Sequence, residues 1–81
     1  MRIDRNDLPE LLFKTLKAIG GEGTIIEVCK HFWDTYEQDL RDSGNLFYTW
    51  QYDIRWAATE LRKDGDMKPA EESRKGVWEL S

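Results

Sequence analysis

The 81 residues include one cysteine, one histidine and two prolines. A lone Cys29 cannot form an internal disulfide and fits a reducing, intracellular compartment. One Cys and one His are too few for a zinc site. Gly20, Gly21 and Gly23 follow a helical pattern and lack the strand and Lys-Ser/Thr context of a phosphate-cradling loop. There is no long apolar run, so no membrane-spanning helix is expected, and the opening MRIDRNDLPE is too charged for a secretion signal. The expectation is a cytoplasmic domain that needs no cofactor, metal or membrane. Basic charge is also short. Twelve Lys and Arg face sixteen Asp and Glu, for a formal net charge of −4. A stand-alone nucleic-acid binder is usually basic, so any such binding by this domain alone is expected to be weak.

What is present is apolar area in large pieces. The chain is 40% hydrophobic and 12% aromatic, with four tryptophans, which is too rich for a disordered segment. Its length suits one domain (residues 1–81) with one modest core.

Hydrophobic spacing divides the chain into helices. Residues 1–6 are polar and read as a lead-in. Asp7 is then placed to cap a helix over about residues 8–19, with Glu10 as its capping-box partner, Pro9 in the tolerant first turn, and Leu8, Leu12, Leu16 and Ile19 on one side. Gly20-Gly21-Glu22-Gly23 stops it. Thr24 caps a second helix with Glu27 three residues on, and Ile25, Val28, Cys29, Phe32, Tyr36 and Leu40 form its apolar stripe to about residue 41. Cys29 is expected as a core thiol. A nucleophile–base pair with His31 fails because residues two apart do not share a helix face. Residues 41–45 read as a loop, Leu46 and Phe47 pack back on the core, and Thr49 is placed to cap the third helix.

The third helix, Trp50–Leu61, buries Trp50, Ile54, Ala57, Ala58 and Leu61, and carries Gln51, Arg55, Thr59 and Arg62 beside that stripe. Arg62-Lys63-Asp64-Gly65 closes it, with cations in the last turn and Gly near C′. Met67–Pro69 and Val77–Leu80 then read as two short strands joined by a charged turn. Pro69 fits only an edge, Trp78 and Leu80 face inward, and Gly23 to Ile25 can pair with this hairpin. The fold class is α+β: a winged helix-turn-helix of three helices with a small antiparallel β-hairpin wing, ordered over about residues 8–80.

The segments Leu16-Lys-Ala-Ile-Gly-Gly-Glu-Gly23, Ile54-Arg-Trp-Ala57, Leu61-Arg-Lys-Asp-Gly65 and Lys75-Gly-Val-Trp-Glu-Leu80 resemble the N-terminal winged-helix domain of Mrr-type restriction endonucleases. The resemblance covers nearly the whole chain and implies a DNA-binding module, which in that family is commonly attached to a separate nuclease domain. No catalysis is expected of these residues alone; a nuclease would come from another chain or another segment. The second helix and its following loop are long for the pattern, and Asp64 and Asp66 place acid near the groove-facing side. Trp56, which the family also carries, is expected to pack against the second helix or the wing.

Under this reading Gln51 and Arg55 reach base edges in the major groove of double-stranded DNA, with Thr59 beside them. Arg62 and Lys63 meet phosphates, and Arg74 and Lys75 at the wing tip meet a neighbouring backbone or minor groove. The competing reading is a protein-interaction winged helix, a homodimer or a partner-subunit dock, using the acidic second helix with Trp33 and Tyr36. Solvated polar faces are also what ordinary surface helices show.

Overall fold

The computed structural model describes all 81 residues. Three helices, α1 (Leu8–Ala18), α2 (Ile25–Arg41) and α3 (Leu46–Lys63), pack with two short strands, β1 (Glu22–Thr24) and β2 (Val77–Glu79). Single 3-10 turns cover Arg5–Asp7 and Ala70–Glu72. The arrangement is α+β and compatible with a winged helix. None of the helices is long and apolar enough to cross a membrane.

Each helix presents one apolar stripe to a common core. Leu8, Leu12 and Leu16 of α1 meet Val28, Phe32 and Leu40 of α2 and Trp50, Ile54, Ala57, Ala58 and Leu61 of α3, all buried. The small residues Ala57 and Ala58 leave α3 room for close packing, while the aromatics fill the α2–α3 seam. Trp50 stacks on Phe32 (centroids 5.6 Å apart) and on Trp33 (6.0 Å). α2 departs from helical geometry at Tyr36, next to Thr35, whose hydroxyl donates to the His31 carbonyl at 2.9 Å. Back-bonding of this kind often bends helices.

The caps are partly those expected. Thr24 and Glu27 form the reciprocal capping box: Glu27 N–H donates to Thr24 Oγ1 at 3.1 Å, and Thr24 N–H to Glu27 Oε1 at 2.8 Å. The first helix differs. Asp7 caps nothing with its side chain; it accepts from Asp4 N–H at 2.9 Å, and Asp4 caps the preceding 3-10 turn. The lead-in is therefore structured. Ile3 is buried and its N–H donates to Ser43 Oγ at 2.8 Å.

The third helix begins at Leu46, four residues before Trp50, and Thr49 lies inside it. Its hydroxyl donates to Asp53 Oδ2 at 2.8 Å and so is spent along the helix rather than at its end. Burial of Leu46 draws the extra turn into the helix. At the other end, Gly65 N–H donates to the Arg62 carbonyl and Asp66 N–H to that of Leu61. The second bond requires the left-handed backbone that Gly65 supplies (φ 82°).

The sheet pairs β1 with β2 antiparallel: Glu22 opposite Glu79, Gly23 opposite Trp78, Thr24 opposite Val77. The expected strand at Met67–Pro69 shrinks to one bridge, Met67 to Leu80, with Lys68 N–H donating to the Glu79 carbonyl. Pro69 and the 3-10 turn that follows it end the pairing. Trp78 is 3% exposed, whereas Leu80 is only half-buried. A side chain at Gly23 would come within 2.9 Å of Ile19 Cδ1, so β1 reaches the α1–α2 corner only because that position is bare. The two like-charged residues facing each other are relieved separately, Glu79 by Lys68 at 3.1 Å and Glu22 by Arg74 at 3.9 Å.

Candidate nucleic-acid interface

The uncovered side of α3 carries Tyr48, Gln51, Tyr52, Arg55, Thr59 and Lys63, all exposed, with Arg62 half-buried at its edge. Gln51 and Arg55 line a groove of about 560 Å³ between α2 and α3, together with Ile26, Lys30, Trp33 and Phe47. Arg55 Nη1 reaches back to the Gln51 carbonyl at 3.4 Å and has no carboxylate partner. Thr59 turns its hydroxyl to the Arg55 carbonyl at 3.2 Å, so its proton is used within the helix.

The cations of the second group differ in their freedom. Lys63 is held by Glu60 at 3.3 Å. Arg62 Nε donates to the Lys68 carbonyl at 3.1 Å, which fixes the guanidinium at the base of the wing without neutralising it. Arg74 lies 3.9 Å from Glu22 on β1, not beside Glu71 or Glu72, and Lys75 is unpaired. The wing turn closes when Val77 N–H donates to the Arg74 carbonyl, and Gly76 O accepts from Ile25 N–H at 2.9 Å. That second bond ties the wing to the first turn of α2. Ile25 borders both the α2–α3 groove and the cleft formed by Arg62, Arg74 and Lys75, so the two join along one side of the molecule.

Five cations have no carboxylate within ion-pair distance: Arg2, Lys17, Arg55, Arg62 and Lys75. The rest are matched, as are Lys14 with Glu10, Lys30 with Asp34 and Arg41 with Glu37. Three of the five unmatched cations stand on the α3–wing side.

The structure also places four other residues singled out in the sequence. Trp56 is half-buried against the core, and the Arg5 guanidinium lies 3.7 Å above its ring, with Arg5 Nε 3.4 Å from buried Asp53. Cys29 is half-buried: it packs against the core cluster and also lines the α2–α3 groove. Burial pushes its thiol above the ordinary range, against a smaller downward pull from the Arg55 charge. Trp33 and Tyr36, the aromatics expected to dock a partner, are half-buried and engaged within the fold, Trp33 on Trp50 and Phe47, Tyr36 on Phe32 at 4.8 Å. The exposed apolar groups are others: Tyr48 at 82%, Tyr52 at 76% and Ile26 at 81% exposure. Tyr48, Tyr52, Arg55 and Thr59 share helical spacing, which was the available signal for the two tyrosines.

Compared with protein-family models, curated proteins and solved structures, the chain finds no match in any of the three.

Proposed function

We propose that this domain binds double-stranded DNA, with α3 in the major groove and the wing on the flanking backbone. The observation that carries the reading is the placement of unmatched charge: Arg55, Arg62 and Lys75 gather on one side of a protein whose net charge is −4. Phosphate neutralisation supplies most of the affinity in such complexes, and it is the local field at the contact that counts. Gln51 and Arg55, one helical turn apart, are the side chains suited to base edges: Gln to adenine, Arg to guanine. Arg62, Arg74 and Lys75 position the duplex through phosphates. The segments that resemble Mrr-type winged helices imply the same role, and under this reading the domain supplies binding while any nuclease chemistry resides elsewhere.

A second reading rests on Ile26, Tyr48 and Tyr52. These exposed apolar groups fit a protein partner or a second copy of the chain as well as they fit base edges. One experiment parts the two. Amide shifts are followed by NMR while short duplexes are added at low salt, and sedimentation is run on the free protein. DNA binding predicts shifts over Gln51–Arg55, Thr59–Lys63 and Ser73–Gly76. No movement with any duplex, together with self-association through Tyr48 and Tyr52, refutes it in favour of the second.

A further inference from the structure

The end of α3 and the wing turn enclose a cleft of about 360 Å³ whose walls include Ile25, Arg62, Ser73, Arg74, Lys75 and Trp78. Three cations line it and no carboxylate does. Beneath them lies Ser73, whose Oγ is sealed from solvent and has no hydrogen-bond partner, the only buried side-chain polar atom in that state. Native proteins rarely leave such a group unpaired, and a buried orphan hydroxyl raises the free energy of the state that holds it. Ser73 is itself one of the residues that line the cleft. The turn adds donors of its own: the amides of Arg74, Lys75 and Gly76 donate to no protein acceptor, whereas Ser73 N–H and Val77 N–H are engaged.

Several charges, a hydroxyl and free amides around one small opening match an oxyanion with more than one acceptor oxygen, of which phosphate is the plain case. We infer that this cleft is a phosphate-binding site, in which Arg62 and Lys75 supply charge, Arg74 closes the outer edge and Ser73 Oγ donates from below. The inference rests on the DNA reading for the source of its ligand, a backbone phosphate, while a free phosphate group carries the same chemistry.

The test uses the full chain and inorganic phosphate, titrated against chloride at equal ionic strength, with backbone amides observed by NMR. A saturable shift at Ser73, Arg74, Lys75 and Gly76 is expected, weakened at least ~3-fold in Lys75→Ala and in Ser73→Ala. Ser73→Ala removes an unpaired hydroxyl, so its melting temperature should hold or rise. Phosphate shifts no larger than those of chloride, or shifts equally strong in both variants, overturn the inference whatever DNA does. A duplex that displaces phosphate from these amides identifies the backbone as the source. Phosphate binding with no response to any duplex supports the cleft as a site for a free phosphate group and removes the DNA reading instead.

Discussion

Salt offers the sharpest quantitative handle on this surface. The three cations assigned to phosphates are Arg62, Arg74 and Lys75; the Arg74 pair with Glu22 is loose at 3.9 Å, while Glu60 holds Lys63 at 3.3 Å. Each neutralised phosphate contributes ~0.9 to the slope of log affinity against log salt, so three give a slope of about −2.7. Raising salt from ~50 to ~200 mM should then weaken duplex binding by about 40-fold. Lys75→Ala should lower the slope to about −1.8 and the loss over the same range to about 12-fold. Lys63→Ala is the internal control: its charge is already matched, so the slope should stay near that of the parent. The assay is fluorescence anisotropy with one labelled duplex across a salt series, each point fitted for affinity. A flat salt dependence, or Lys63→Ala flattening the slope as much as Lys75→Ala, would refute the assignment of these cations to phosphates.

Arg55→Ala should lose ~1–3 kcal/mol of discrimination between duplexes with little change in salt slope, read by competition with unlabelled sequences. Trp78→Ala should destabilise the fold by about 3–5 kcal/mol, because the only buried side chain of β2 disappears; urea unfolding followed by circular dichroism measures it. Glu27 is held below its ordinary value by the hydrogen bond from Thr24 N–H and then by that with the Thr24 hydroxyl. Its ionised form is favoured by folding, so the stabilisation is whole above pH ~4.5 and is lost as pH falls through the lower folded value; Glu27→Gln should flatten the acid limb of a thermal-melt series. The Cys29 thiol is displaced the other way by burial, so folding favours the protonated form and stability should fall as pH rises past the ordinary thiol range. Iodoacetamide should label native Cys29 more slowly than the urea-unfolded chain, and equal rates would contradict its partial burial.

Two local signals in this chain held. The Thr24–Glu27 box and the Gly65 closure each depend on residues within one turn, and both form as their spacing implies. The α3 face bearing Gln51 and Arg55 was legible because helical periodicity alone places it opposite the core. What escaped depends on competing partners, some near in the chain and some far. Nothing in Met1–Asn6 marks Ile3 as core, since one apolar residue has no period, and its burial is decided by Ser43, forty residues away. Thr49 has the chemistry of a cap, and only the presence of Asp53 one turn later diverts it. The wing strand failed because Pro69 and the 3-10 turn compete with a ladder that Lys68 alone continues. Charge totals misled most. Matching cations to carboxylates requires geometry, and only then do Arg55, Arg62 and Lys75 stand apart.

The pairing of residues 22–24 with residues 77–79 also sets a schedule for synthesis. All three helices are translated before the partner of the early strand exists, so residues 22–24 wait unpaired until residues 77–79 are made. Nascent chains halted just short of Val77 should stay protease-sensitive, and release of a few more residues should abruptly protect the whole body.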